Sequence, residues 1–310
     1  MRNYLIAMAT FAGLYGILAL GLNLILGMAG MINLGLAGFF AVGGYASALA
    51  TSRLGLPIVV GVVAAMLIAA AAGVVMAMVT ARLRGDYLAI ITLGFAEVVR
   101  LVASNEIWLT RGTDGLSGIP GPWRGRVSPE AFNLIYCGIV VLVVAVLMVL
   151  LERVRTAPYG RVLRAIRDDE QVTAVAGKAV TAFKVQAFAV SAAVLGLGGA
   201  LYGHYTSFVA PDTFTTLISI YIVLAVTAGG TGTNVGAVVG AVLVVFFMES
   251  TRFLTGWLPL APVRIAALRE FLIGVSLIVV LRFRPDGLVP ERIRIVTPPL
   301  AEPAQPGGTR

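Results

Sequence analysis

Charge is scarce in this sequence. Only 12% of its 310 residues are Asp, Glu, Lys or Arg, against 59% hydrophobic residues, whereas a soluble domain carries about 25% charge. There is too little polar surface here to keep a folded chain of this size in water, and mean hydropathy is +0.95. Cysteine and histidine occur once each, as Cys137 and His204. An internal disulfide is therefore impossible, and a metal centre built on Cys and His lacks ligands. No metal and no cofactor is expected. The formal net charge of +8 does not point to nucleic acid, because most basic residues flank apolar runs and read as topology signals.

What is present is a series of long charge-free windows. None of the residues between Arg2 and Arg53 is charged, and the same holds for Arg53 to Arg82, Glu130 to Glu152, Lys184 to Asp212 and Asp212 to Glu249. A bilayer-crossing helix needs roughly 20 apolar residues, so each window holds one or two spans. Inside lipid the backbone must satisfy its own hydrogen bonds, and the runs lack the alternation of a strand barrel, so the spans should be helices. The expected fold class is all-α, a polytopic membrane protein of about 8–10 transmembrane helices.

The first span is expected over Tyr4–Leu26 and reads as retained, since no polar mature domain follows it. The stretch Gly27–Gly35, rich in Gly and containing Asn33, should break or turn back. Further apolar stretches cover Gly38–Thr51, Ile58–Ala81 and Tyr87–Ala103, the last carrying Glu97 and Arg100. The loop 105–130 holds Gly, Pro and two Trp residues and reads as an ordered segment near the interface. Spans are expected over Ala131–Leu151 and Val185–Val209, then two helices within Thr216–Met248 separated by the turn Gly229–Asn234, and a last span ending near Leu281. The division expected is a transmembrane domain over 1–290 and a cytoplasmic tail over 291–310. Putting Arg82, Arg84, the 152–184 segment and the C-terminal residues on one side gathers 14 Lys and Arg there and leaves 8 opposite. The richer side should be the cytoplasm, which makes 105–130 external and gives nine crossings from an external N-terminus.

The segment 152–184 has seven basic and four acidic residues. Pro158 and Gly160 suggest a turn and Gly177 a helix end. A short amphipathic helix lies between them, with Leu163, Ile166 and Val172 on an apolar side and Arg161, Arg164 and Arg167 along one flank. Such a helix can plug into a partner's groove; a solvated positive-inside loop is the other reading.

The residues from Gly160 to Gly177 resemble the cytoplasmic loop of permease subunits in ABC importers for branched-chain amino acids. The resemblance continues through Ala182–Phe188 and Gly196–Tyr202, and other pieces fit in order. These are Leu22-Asn23-Leu24 with Gly27–Gly35, Arg84–Glu97, Thr113–Pro120, Gly229–Asn234 and Phe283–Leu288. It covers nearly the whole chain, to about residue 290. Of the two paired permeases in such transporters, the chain is similar to the LivM type rather than the LivH type. Lys178 departs from the pattern, where an apolar residue is usual.

The resemblance implies partners: a second permease subunit of the LivH type, two cytoplasmic ATP-binding subunits, an extracytoplasmic solute-binding protein and the lipid bilayer of a bacterial inner membrane. It implies that Gly160, Arg161, Leu163, Arg164, Ile166, Arg167, Asp168, Glu170 and Gly177 form the coupling element that seats in the ATPase. This chain has no Gly-x-x-x-x-Gly-Lys-Ser/Thr loop, so ATP chemistry must come from another chain. Transport moves a solute without covalent change, and no catalytic residue is expected.

Three residues are candidates for the translocation path: Asn33, Glu97 and Asn234. A carboxylate in a span costs about 2.5–3.5 kcal/mol on insertion scales, so Glu97 should face the bundle interior or a cavity. Arg100, one turn on, can pair with it; the readings are a polar gate or a structural ion pair. Asn23, Asn33 and Asn234 either bond between helices or line the path, and an unwound backbone at Asn33 would offer amides to a carboxylate. His204, beside Tyr202 and Tyr205, reads as an interfacial anchor rather than a proton relay. Gly196, Gly198 and Gly199 should permit close helix packing. The rival functions are a related permease for urea or short amides, distinguishable by the binding protein's specificity, and an ion-coupled secondary transporter, which would work from this chain alone.

Overall fold

The computed structural model describes residues 2–80, 83, 85–254, 262–284 and 287–291. The tail beyond Glu291, and Arg82 and Arg84, lie outside them. The described chain is helical: α1 (Arg2–Asn23), α2 (Leu36–Ser52), α3 (Ile58–Thr80), α4 (Asp86–Asn105), α5 (Ile107–Thr110), α6 (Pro129–Thr156), α7 (Pro158–Asp168), α8 (Glu170–Val175), α9 (Val180–Thr206), α10 (Thr216–Gly229), α11 (Asn234–Leu254) and α12 (Pro262–Phe283). Among the described residues, six helical segments are long and apolar enough to cross a membrane, and two shorter apolar helices, in α2 and α11, join them. This is an all-α polytopic membrane protein.

Helices α1, α3, α6 and α10 run one way, α2, α4, α9 and α11 the other. Two ends result. At one, Asn3 donates to Glu130 at 3.0 Å, tying the start of α1 to the start of α6. There too the loop after α4 forms strand β1 (Leu116–Ser117), which pairs antiparallel with β2 (Phe208–Val209) after α9. At the other end lie α7, α8, the turn between α10 and α11, and residues 287–291.

The expected break after the first span is present. Helix α1 passes into a π-turn at Leu24–Met28, Gly30 has φ +66°, and residues 30–35 are not helical. Loop 105–130 is ordered, as its Gly and Pro content suggested, but it is held by a strand pair that no alternating run announced. The span expected to reach Val209 stops at Thr206, where Ser207 takes a left-handed φ of 57°. The positive φ ends the helix and turns the chain into β2.

Helix α9 forms the core against α2 and α3. Gly196 and Gly199 allow it: a Cβ on Gly196 would strike Ala65 and Ala69 of α3, and one on Gly199 would strike the Phe40 carbonyl of α2. Without bulk at these positions the backbones approach closely, which is how helices associate when lipid removes the hydrophobic drive. The outward face of α3, including Val59, Val63, Leu67 and Val75, is exposed and wholly apolar, the surface expected of a helix that meets hydrocarbon or another apolar subunit.

Candidate functional site

Helix α6 ends at Thr156, Ala157 is extended (ψ 163°), and Pro158 occupies the first position of α7, where its missing N–H is not needed. Gly160, expected in a turn, lies within the first turn of α7. A Cβ there would meet the Val154 and Arg155 carbonyls, so glycine permits the tight fold-back of α7 on α6. Leu163 and Ile166 are buried. Arg161 and Asp168 are exposed, while Arg164 and Arg167 are half-buried. Tyr159 packs on Phe183 with ring centroids 5.5 Å apart; burial pushes its phenol up to about 12, so it stays neutral.

The single helix expected between Gly160 and Gly177 is two. Asp169 breaks it with φ −155° and ψ 109°. Its carboxylate accepts from the amides of Gln171 (2.8 Å) and Val172 (3.0 Å), an N-cap that starts α8 in a new direction. The apolar side assigned to Leu163, Ile166 and Val172 is corrected accordingly: Val172 is 64% exposed and Val175 90%. Gly177 ends α8 as expected, with φ +79°. The Gly177 amide donates to Ala174 (3.0 Å) and the Lys178 amide to Thr173 (3.3 Å), the paired bonds of a glycine-terminated helix. Lys178, the departure from the family pattern, is exposed.

Arg167 anchors α7 to the membrane helices. Its Nη1 donates to the Gly27 carbonyl and to Glu291 Oε2 at 2.9 Å. Gly30 lies against the Arg167 stem, where a Cβ would meet Cγ. Glu291 belongs to a strap over the glycine turn: the Leu288 and Val289 amides donate to Ala228 and Gly229, both at 2.9 Å, and Thr233 Oγ1 donates to the Val289 carbonyl at 3.0 Å. Stretches separated along the sequence, around residues 27–35, 160–177, 229–234 and 287–291, thus meet at one guanidinium.

Beneath this junction is a polar chain whose two asparagines are buried. Asn23 Nδ2 donates to Asn234 Oδ1 at 3.2 Å, Asn23 Oδ1 accepts from the Gly232 amide at 2.9 Å, and Asn234 Nδ2 donates to Glu152 Oε2 at 3.1 Å. Arg155 closes the chain by holding Glu152 at 2.5 Å. Asn234 therefore bonds between helices. Glu170 pairs with Lys184 of α9 at 2.7 Å, Lys184 being 10% exposed. A cavity of about 440 Å³ opens between α7, α8, Gly30 and the start of α4, lined by Arg167, Asp169, Glu170 and Lys184.

The other path candidates lie apart from this cluster. Glu97 does not face the chain's interior. It is 43% exposed and held by Arg100, whose Nε lies 3.0 and 3.1 Å from the two carboxylate oxygens. The i,i+3 spacing satisfies the carboxylate locally, without burial. Asn33 is buried, and the amides around it already have acceptors: Leu34 donates to Thr92 Oγ1 (3.1 Å), Gly35 to Asn33 Oδ1 (2.8 Å) and Ala37 to Ser219 Oγ (3.2 Å). Asn33 Nδ2 has no partner. His204, expected as an interfacial anchor, is instead buried and bonded on both sides. Its Nδ1 is 2.7 Å from the Pro120 carbonyl and its Nε2 is 2.8 Å from Ser47 Oγ. A carbonyl only accepts, so Nδ1 carries the proton and Nε2 of the neutral ring accepts from Ser47.

Sequence reasoning missed the Arg167–Glu291 and Glu170–Lys184 pairs. Nothing in the spacing pairs residues 124 positions apart; only the polarity of Lys184 at the start of an apolar helix hinted at a partner.

Comparison with known proteins places the chain in a family. Residues 4–281 match a family model described as "Branched-chain amino acid transport system / permease component". The chain is 33% identical to the high-affinity branched-chain amino acid transport system permease protein LivM of Salmonella typhimurium, over 91% of this chain and 69% of that protein. The protein of the same name in Escherichia coli gives the same identity and coverage. A probable branched-chain amino acid transport permease protein LivM of Methanocaldococcus jannaschii is 28% identical over 93% of each chain. No solved structure matches.

Proposed function

Since the chain belongs to the branched-chain amino acid transport permease family, we propose that it is the LivM-type permease subunit of an ABC importer for hydrophobic, branched-chain amino acids. It works in the inner membrane of a bacterium, paired with a LivH-type permease, two cytoplasmic ATP-binding subunits and an extracytoplasmic solute-binding protein. The observation that carries this reading is the seating of α7. Its inner face is locked to the π-turn after α1 and to the glycine-turn strap through Arg167, while Arg161, Asp168, Val172 and Val175 remain outward.

A helix with one face fixed to the membrane bundle and the other free suits a lever pushed by a motor subunit. Gly160, Leu163, Ile166, Arg167 and Glu170 hold the lever; Arg161, Arg164 and Asp168, with the α8 valines, present it; Gly177 ends it. The basic end is then cytoplasmic. Asn33, Glu97 and Asn234 remain proposed path residues, Glu97 only where a second subunit covers the outer face of α4.

The test is copurification from membranes followed by measurement of ATP hydrolysis with the loaded binding protein. ATP-binding subunits should copurify, and Arg164→Glu should weaken their retention. Accumulation of solute by this chain alone in vesicles, driven by a proton or sodium gradient, would defeat the proposal in favour of a secondary transporter.

A further inference from the structure

A second cavity, of about 500 Å³, opens at the end of the bundle opposite α7, between α1, α2, α9 and α10. Five aromatic rings line it, from Phe11, Tyr15, Phe40, Tyr202 and Phe208, and the one charged side chain in its lining is Asp212. Ring contacts hold part of the wall in place: Phe40 and Tyr202 meet edge to face at 5.6 Å, and Phe11 and Tyr202 lie 6.4 Å apart. The volume falls within the about 300–1,000 Å³ of small-molecule sites, which combine apolar walls with a few placed polar groups.

Asp212 stands in the short turn Pro211–Thr213 between β2 and α10, and it is exposed. Arg100 lies within electrostatic reach of it, but that guanidinium is held by both carboxylate oxygens of Glu97. Among the described residues no cation forms an ion pair with Asp212. An apolar, aromatic-walled cavity with a single carboxylate at its edge suits a small molecule that has an apolar side chain and an ammonium group.

We infer that this cavity is an amino-acid site of the permease itself, in which the aromatic rings take an aliphatic side chain and Asp212 takes the α-ammonium group. This rests on the importer reading for its choice of solute. The rings supply dispersion and apolar burial for the side chain. The carboxylate at the rim supplies a charge-assisted hydrogen bond that an acid lacking the amine cannot make. Recognition of the solute is then shared between the delivering protein and this subunit.

Alkylation protection in the assembled complex tests the site. A reporter cysteine is placed in the lining by Thr113→Cys, with Cys137→Ser removing the native thiol and Thr213→Cys as a second reporter position. L-Leucine should slow maleimide labelling about tenfold at roughly ten times its dissociation constant, by mass action. 4-Methylpentanoate, the same side chain without the ammonium, should not protect, and Asp212→Asn should abolish protection by leucine. The inference is overturned if leucine protects neither reporter, or if it protects the Asp212→Asn variant equally. It also falls if 4-methylpentanoate protects as well as leucine, or if only added lipid slows labelling, which would make the cavity a lipid groove. The readout needs no ATP hydrolysis: a complex whose ATPase responds to loaded binding protein but shows no protection sinks this site alone, whereas protection without any ATPase response sinks the importer reading alone.

Discussion

Arg167 and Glu291, 124 residues apart, form an ion pair of 2.9 Å in which neither side chain is more than 24% exposed. The same Arg167 nitrogen also serves the Gly27 carbonyl. Through this one guanidinium, α7 is attached both to the π-turn after α1 and to the strap over the turn between α10 and α11. A helix attached at two places moves them together, which a coupling element requires.

Arg167→Gln should therefore cost more than Glu291→Gln, because it leaves a carboxylate and a carbonyl without their donor. We expect losses on the order of 1–3 kcal/mol for each partner left unsatisfied. Swapping the pair, Arg167→Glu with Glu291→Arg, should restore only part of the loss, since Gly27 remains unserved. Thermal unfolding of the purified complex measures the order of the three variants.

The buried and exposed faces of the α7–α8 segment should respond differently. Leu163 is fully buried, so Leu163→Ala should destabilise the chain by about 2–5 kcal/mol. Arg161→Glu and Val175→Asp alter exposed positions and should change stability by no more than about 0.5 kcal/mol, yet reduce retention of the ATP-binding subunits. Parallel melting and pull-down measurements separate the outcomes. Loss of retention only in Leu163→Ala would mean that the outer face makes no contact.

Replacing Asn234 by Leu should leave Asn23 Nδ2 and Glu152 Oε2 short of partners that now lie at 3.2 and 3.1 Å. A penalty of about 1–3 kcal/mol is expected for the buried Asn23 amide, and little for Glu152, which is 45% exposed and keeps Arg155. Asn23→Leu combined with Asn234→Leu should be less harmful than the sum of the single changes, a non-additivity that a double-mutant cycle of melting temperatures reads directly.

Glycines should differ in tolerance by position. Gly199→Val places bulk against the Phe40 carbonyl, whereas a Cβ on Gly94 of α4 meets nothing within 4 Å. Gly199→Val should abolish folded protein in membranes. Gly94→Ala should be tolerated or gain up to about 1 kcal/mol from helix propensity. Quantifying the folded fraction by size-exclusion profile after extraction distinguishes them.

Much of the fold was legible beforehand, because hydrocarbon imposes a length and a polarity on every crossing. The break at Gly27–Gly35, the turn at Gly229–Asn234 and the close packing at Gly196 and Gly199 followed from residues with no side chain to pack. The split at Asp169 of the helix expected between Gly160 and Gly177 was not legible. Asp169 sits in a continuous amphipathic pattern, and only its hydrogen bonds to Gln171 and Val172 reveal it as a cap. Glu97 was legible in part: its pairing with Arg100 one turn on was expected and is present, but the carboxylate lies on the outside of the chain, where the expectation put it toward the interior or a cavity.

Composition and charge pattern by themselves determined that this chain lives in a membrane as a helical bundle, since lipid leaves a backbone no other way to satisfy its amides. The order of local motifs also determined its family. Tertiary structure alone decided that Arg167 joins Gly27 to Glu291, that Asn23 finds Asn234, and that Asp212 stands at the edge of an aromatic cavity. Those relations depend on which helix faces which, and that is set by close packing among residues far apart along the chain, where local periodicity carries no information.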